Sequence, residues 1–100
     1  MLTKLVMRWD IRPETESDYF EFLVHEFIPG MNRLGIGEIQ VWYTTFGECE
    51  QKLATGITNS QEEMEKALKS AEWRKLIQTL QEYVTNLHLK VVPATKGFQL

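Results

Sequence analysis

The side chains best suited to chemistry in this sequence stand at alternate positions of predicted strands and form no recognised catalytic motif. We predict that the following residues share one face of a sheet and bind a ligand there: Arg8, Gln40, Trp42, Lys52 and His88. A guanidinium or ammonium group in a partly desolvated cavity can hold a carboxylate or an enolate. The indole ring of Trp42 can stack against a flat aromatic molecule. The pattern therefore favours a small aromatic or anionic ligand.

His88 and Arg8 are the two candidates for catalysis within this set. Imidazole changes its charge near neutral pH, so His88 can serve as a general base, and Arg8 can stabilise negative charge. The commoner alternative is structural: His88 makes a cross-strand or interface contact, and Arg8 and Lys52 pair with carboxylates such as Asp10. Trp42 can equally belong to an interface between two copies. The sequence thus leaves the catalytic residues unknown.

His25 and Glu26 resemble half of a zinc-binding helical motif, but the required second histidine would fall at Pro29. Two isolated histidines without a cysteine pair also argue against a structural zinc site. From the first predicted helix, His25 could still reach the mouth of a pocket. Cys49 is interpreted as structural, since the sequence places no base beside it. We predict no metal and no cofactor.

Charge and composition argue against several classes of protein. The 100 residues carry a net charge of −3 and no basic face, so no nucleic-acid partner is expected. Residues 1–12 contain Lys4, Arg8 and Asp10, which is too much charge for a signal peptide or a membrane span. A single cysteine suits a reducing compartment. We expect one cytoplasmic domain, residues 1–100, with a C-terminal tail over residues 94–100.

Changes in hydrophobic period predict the first half of the chain. Residues 2–11 alternate between apolar and polar and predict a strand. Pro13 suits the first turn of a following helix. The apolar face of that helix is predicted from spacings of three and four: Phe20, Leu23, Val24, Phe27, Ile28 and Met31. Pro29 should kink or stop this helix near Phe27, because it removes one hydrogen bond and clashes with the preceding turn.

The second half begins with a predicted hairpin of residues 38–46 and 49–58. Ser60 and Glu63 form a capping box that opens the second helix. Ser70 can cap a fresh turn, so a bend or break is expected near residues 69–71. Residues 87–92 alternate again and predict a fourth strand.

The order β-α-β-β-α-β predicts an α+β, ferredoxin-like fold, with an antiparallel sheet and two helices on one face. The strand residues predicted to face the helices are all odd-numbered: 5, 7, 9 and 11; 39, 41 and 43; 53 and 57; 87, 89 and 91. The even-numbered face keeps large apolar residues such as Trp42 and Phe46. An apolar patch of that kind marks an interface or a ligand site. A second copy packed over it would complete a barrel.

Five segments carry a resemblance to a known superfamily: Leu5-Val-Met-Arg-Trp9, Ile11-Arg-Pro13, Gly37-Glu-Ile-Gln-Val-Trp-Tyr43, Ser70-Ala-Glu-Trp73 and Leu89-Lys-Val-Val-Pro93. Over almost its whole length the chain resembles the dimeric α/β-barrel superfamily, near its antibiotic-biosynthesis-monooxygenase-like and NIPSNAP-like branches. The resemblance implies a homodimer with a ligand cavity between the sheet and the first helix. Such families include cofactor-independent monooxygenases, isomerases, haem enzymes and members without an assigned activity. No catalytic motif carries over residue by residue.

These expectations favour a small-ligand-binding homodimer over any named reaction. The alternative is a cofactor-independent monooxygenase or isomerase acting on a small aromatic or polyketide-like substrate. An open, lined cavity would favour the enzyme. A lumen packed shut by Trp42, Phe46 and Phe98 would favour a non-catalytic binding or stress-related dimer. In both cases the expected partner is a second copy of the chain.

Overall fold

Strand β1 (Thr3–Ile11) forms where apolar and polar residues alternate, and its odd-numbered side chains Leu5, Met7 and Trp9 are buried as predicted. The computed structural model describes residues 2–46 and 49–94, with only the backbone of residues 43–46 and 49–51. The contributions predicted for Phe46, Cys49 and Phe98 lie outside the described side chains.

The other elements follow β1 in the predicted order, with each helical region divided into segments. In chain order they are α1 (Glu16–Phe22), a π-helical turn (Leu23–Phe27), α2 (Ile28–Arg33), β2 (Gly37–Phe46), β3 (Cys49–Thr58), α3 (Gln61–Lys69), α4 (Ala71–Leu80) and β4 (Val84–Pro93). Within the described ranges, no helix has the length and apolar character that crossing a membrane requires.

The four strands form one antiparallel sheet in the order β2-β3-β1-β4. The helices cover one face, where Leu5, Met7 and Trp9 join a single core with Phe27 and Leu80. This arrangement is the predicted α+β, ferredoxin-like fold. None of the described helices lies on the other face, and we call it the open face.

Pro29 was predicted to kink or stop the helix near Phe27, and the structure excludes the stop. The chain widens into the π-helical turn, where the Ile28 N–H donates to the Leu23 carbonyl, and then continues as α2. In a regular α-helix the proline ring would meet the carbonyl four residues earlier, which belongs to His25. In a π-helical turn each N–H bonds to the carbonyl five residues earlier, so the carbonyls take other positions than in an α-helix. The chain therefore stays helical at the proline.

The helix face that meets the sheet also differs from the predicted face. Phe20 is 62% exposed and Val24 is 43% exposed, so their assignment to the core was wrong. The buried residues of this region are Tyr19, Phe22, Leu23, Phe27, Gly30 and Met31. The π-helical turn shifts the side chains around the axis, which a regular helical period does not anticipate.

Two serine caps place the second helical region as predicted. The Ser60 hydroxyl accepts a hydrogen bond from the Glu63 N–H at 3.1 Å and begins α3. The Ser70 hydroxyl accepts from the Trp73 N–H at 3.1 Å and donates to the Ala67 carbonyl at 2.7 Å. Ser70 thus ends one helix and begins the next, which confirms the break near residues 69–71.

The predicted orientation of β3 is wrong. Gly56 pairs directly with Leu5, and Ala54 pairs directly with Met7. Directly paired residues of an antiparallel sheet point to the same face. Ala54 and Gly56 therefore face the helices, and the larger Leu53 and Ile57 lie on the open face. Small residues are needed on the covered side, because a Cβ on Gly56 would collide with the Cγ2 atom of buried Ile36.

Aromatic rings fill the space between β1 and the first helical region. Trp9 is fully buried, with its ring centroid 6.3 Å from that of Tyr19 and 6.2 Å from that of Phe27. The Trp9 Nε1–H donates to the Tyr19 hydroxyl at 3.1 Å. Phe27 also contacts Trp73, at 5.9 Å between centroids. At the level of Trp9, packed rings occupy the place where the family resemblance implies a ligand cavity.

Tyr19 predicts a loss of stability in alkaline solution. Burial raises the pKa of Tyr19 from 10.0 to about 12, and the hydrogen bond from Trp9 opposes this only in part. Between these values the folded protein keeps a proton that the unfolded chain releases. The contribution of Tyr19 is therefore complete below pH 10 and should fall by about 2–3 kcal/mol by pH 12. Urea unfolding across this range should show a shallower decline in Tyr19→Phe. Equal declines in the two proteins would contradict the assignment.

Candidate functional site

The open face brings together most of the residues singled out from the sequence. Its described side chains are Lys4, Val6, Arg8 and Asp10 of β1, Gln40 and Trp42 of β2, Leu53, Thr55 and Ile57 of β3, and Thr85, His88, Lys90 and Val92 of β4. They alternate along each strand with the side chains that face the helices. The face is thus a mixture of apolar surface and cations.

One row of directly paired residues crosses the whole sheet and holds three of the five predicted ligand-binding residues. Trp42 pairs with Leu53, Leu53 with Arg8, and Arg8 with His88. With neighbouring strands about 4.8 Å apart, Trp42 and Arg8 lie on the order of 10 Å apart. Trp42 is 42% exposed, so its ring offers a surface to a flat molecule.

The next row adds Gln40 and Lys90, a cation predicted to lie on this face but not included among the ligand-binding residues. Gln40 pairs with Thr55, Thr55 with Val6, and Val6 with Lys90. Lys90 is thus a diagonal neighbour of Arg8 across β1 and β4, within reach of a common ligand. Lys90 also lines a groove of about 360 Å³, together with Val6, Arg8, His88 and Leu89.

The cations of this groove form no ion pair in the described part of the chain. The Arg8 guanidinium and the Lys90 ammonium group make no hydrogen bond or ion pair with any described residue, and neither does Lys4, which flanks Val6 along β1. Three unpaired cations around one apolar side chain give positive potential to this patch of a chain whose net charge is −3. A carboxylate or another anion would be attracted there.

Lys52 does not join this group, and its predicted position on the open face is wrong. It pairs directly with Trp9, whose side chain is buried against the helices. Lys52 therefore lies on the face opposite Arg8. The cause is the reversed orientation of β3, which places even-numbered residues on the covered side. Among the predicted ligand-binding residues, the structure groups Arg8 with His88 and leaves Lys52 apart.

The sequence interpretation named Asp10 only as a pairing partner of Arg8 and did not consider Asn86. Arg8 pairs with His88 but Asp10 with Thr85, so β4 carries one extra residue, a β-bulge. Asn86 lies in this bulge with φ of 56°. Its Nδ2–H donates to Asp10 Oδ2 at 2.9 Å, while Asp10 Oδ1 is buried and has no hydrogen-bond partner among the described residues. An asparagine inside a strand was the available signal, since asparagine tolerates a left-handed backbone.

A second concavity lies on the outer side of the helices and includes His25. This groove of about 870 Å³ has Phe22 and Leu76 among its lining residues, together with the ion-paired Arg33 and Glu72. His25 is largely exposed and lies 3.5 Å from Glu21 in the same helical region. It thus reaches the mouth of a groove, as predicted, but on the side away from Arg8 and His88. Within the described ranges, no three His, Cys, Asp or Glu residues are grouped as metal ligands.

Known proteins resemble this chain in structure far more than in sequence. No protein-family model and no curated protein matches the sequence. SnoaB, a cofactor-independent oxygenase from Streptomyces nogalater, superposes with a TM-score of 0.74 at 11% identity, over 96% of this chain and 95% of that one.

Two further structures have the same fold. Rv0793 from Mycobacterium tuberculosis has a TM-score of 0.75 at 12% identity, over 99% of this chain and 100% of that one. A NIPSNAP family protein from Agrobacterium tumefaciens has a TM-score of 0.67 at 15% identity, over 96% of this chain and 95% of that one. The chain therefore shares the ferredoxin-like fold of the antibiotic-biosynthesis-monooxygenase-like and NIPSNAP proteins of the dimeric α/β-barrel superfamily.

Proposed function

We propose that this protein binds a small aromatic anion on the open face, and that a second copy of the chain covers that face to form a barrel. The observation that carries the proposal is the row from Trp42 to His88, which includes Arg8 and lies next to Lys90. Neither of these two cations forms an ion pair with a described residue. The ring of the ligand would lie against Trp42 and Leu53. Its anionic group would meet the two cations. The single cysteine supports a cytoplasmic setting for this function.

Pairing of two chains is supported by the apolar content of the open face. Val6, Leu53, Ile57 and Val92 are only partly buried in one chain, and Trp42 is 42% exposed. In a symmetric dimer the same face of both copies is covered. Burying cations in this way is costly unless anions accompany them. Asp10 is the one carboxylate among the open-face residues defined above, so a bound anion would supply the missing charge.

A second candidate function is that of a cofactor-independent oxygenase or isomerase. The likeness to SnoaB, itself a cofactor-independent oxygenase, favours this candidate, as does the direct pairing of His88 with Arg8. In either reaction an aromatic or polyketide-like substrate would lose a proton to a base such as His88. Arg8 would then stabilise the resulting enolate. The ligand site is the same in both candidates.

Binding of 2-naphthoate, a bicyclic aromatic carboxylate, tests the proposed site. We expect quenching of tryptophan fluorescence on titration, with the affinity at least about tenfold weaker in Arg8→Ala, because a charge-assisted hydrogen bond is lost. Arg74→Ala is the matched control, since Arg74 is an exposed arginine of α4. Equal affinities in wild type and Arg8→Ala would contradict the site.

The same samples test the dimer by sedimentation velocity at micromolar concentration. The wild type should sediment with twice the mass of the chain, and saturation with 2-naphthoate should strengthen the association. A monomeric mass with and without the ligand would refute the covered barrel.

A further inference from the structure

The open face carries more positive than negative charge. Its described residues include three cations, Lys4, Arg8 and Lys90, and one carboxylate, Asp10. Three positive charges against one negative charge leave the face with a net charge of +2 when His88 is neutral. The whole chain, in contrast, has a net charge of −3. Positive charge is therefore concentrated on one side of an acidic protein, where it attracts anions.

The groove of about 360 Å³ concentrates this charge further. Arg8, His88 and Lys90 are among its described lining residues, and Asp10 is not. Arg8 and His88 are directly paired, and Lys90 is the diagonal neighbour of Arg8. The Cα atoms of these three residues therefore lie within about 8 Å of one another, a spacing that long side chains can bridge. One small group in the groove can thus contact all three.

Covering the open face in a dimer would remove the water around these charges. Arg8, His88 and Lys90 are exposed in one chain. Buried charges are costly unless opposite charges accompany them. A ligand with a single negative charge would leave the face of each copy positive, whereas a doubly charged anion would balance its net charge of +2.

We propose that the groove binds a doubly charged oxyanion, the group that a phosphate monoester or a sulfate ion carries, and that Arg8 and Lys90 are its two cationic partners. The fork of a guanidinium suits two oxygens of such a group, and an ammonium group binds it as a point charge. His88 adds a third nitrogen at the same groove, and no contact with Trp42 is needed. This inference rests on the proposed function for the place of the anionic group, and it narrows that group to a dianion.

Sulfate and methanesulfonate are a matched pair of probes for the inference. Both are tetrahedral oxyanions that stay ionised at neutral pH, and sulfate carries one more negative charge. In NMR titrations at constant ionic strength, sulfate should shift the amide signals of residues 6–8 and 88–90 and bind at least about tenfold more tightly than methanesulfonate. Lys90→Ala should lose this preference. Lys66→Ala, which removes an exposed lysine of α3, should keep it.

Phenyl phosphate and inorganic phosphate distinguish two sources of the anion. At pH 8 both are largely doubly charged. Tighter binding of phenyl phosphate would support a site for an aromatic phosphate ester, and equal binding would support a site for the free ion. Binding of neither would contradict the dianion site.

The outcomes separate the inference from the proposed function. If Arg8-dependent binding of 2-naphthoate is found but sulfate binds no more tightly than methanesulfonate, the inference is overturned and the proposed function stands. If sulfate is preferred but 2-naphthoate does not bind, the dianion site stands without its aromatic part. If neither sulfate nor 2-naphthoate binds, both are overturned. A preference for sulfate that persists in Lys90→Ala and in Arg8→Ala would be a general effect of the salt and would also overturn the inference.

Discussion

Replacing Trp9 by alanine is expected to lower the free energy of unfolding by about 3–5 kcal/mol, the usual cost of removing a buried indole from a core. Trp9 has no exposed surface and contacts the rings of Tyr19 and Phe27. Its removal leaves a cavity under the first helical region and takes away the donor to the Tyr19 hydroxyl. Since domains of this size have about 5–15 kcal/mol of stability, the variant should unfold at much lower urea concentration.

Trp42→Ala is the matched control for this substitution. Trp42 lies on the open face and is 42% exposed, so its loss should cost clearly less stability than the loss of Trp9. Its effect should appear instead in the binding of 2-naphthoate and in the mass of the assembly. Equal losses of stability in the two variants would contradict the assignment of Trp9 to the core and of Trp42 to the site.

Gly56→Ala is expected to be the most damaging change of a single methyl group, with a loss of about 1–3 kcal/mol or more from overpacking. The added Cβ would meet Cγ2 of Ile36 closer than real Cβ atoms come. That methyl group is attached directly to the Cβ of a fully buried side chain, so it cannot swing away as the end of a long side chain could. Either β2 and β3 separate locally or Ile36 leaves its place in the core.

Two further variants identify the cause of that loss. Gly37→Ala should change the urea midpoint little, because a Cβ there meets nothing within 4 Å. In the Ile36→Ala background, Gly56→Ala should cost much less than in the wild type, since the colliding methyl group is gone. Strictly additive effects of the two substitutions would contradict the collision.

The fold could be predicted from the sequence because its two strongest patterns, the alternation in β1 and the serine caps, correspond to real elements of the structure. β1 alternates cleanly, so its covered face at Leu5, Met7 and Trp9 could be assigned without error. Ser60 and Ser70 are helix caps with a local mechanism, and each acts within three residues of its own position. Local hydrogen bonds of this kind depend little on the rest of the protein.

β3 shows where sequence patterns fail. Its apolar side chains Leu53 and Ile57 were predicted to face the helices, yet they lie on the open face. The covered side needed Ala54 and Gly56, because buried Ile36 approaches the strand closely there. Which face is buried was therefore decided by a residue outside the strand. The same reversal removed Lys52 from the predicted site.

The candidate site could be predicted only in part, because alternation predicts the face on which a residue lies but not its partner on the next strand. Arg8 and His88 could be placed on one face from strand alternation alone, but their direct pairing depends on the register of β1 and β4. Asp10 was named only as a partner of Arg8, and its hydrogen bond with Asn86 could not be predicted because it depends on the bulge in β4. Register shifts of this kind leave only a weak trace in a single sequence.

The π-helical turn keeps four buried side chains of the first helical region on one side of the helix. Tyr19, Leu23, Phe27 and Met31 are buried and recur at every fourth residue. In a regular α-helix each such step overshoots a full turn by about 40°, so three steps would carry Met31 about 120° around the axis from Tyr19. The wider turn at Leu23–Phe27 takes up this excess. A relative with a regular first helix should therefore align with a gap of one residue in this segment, and it should lack a proline at the position of Pro29.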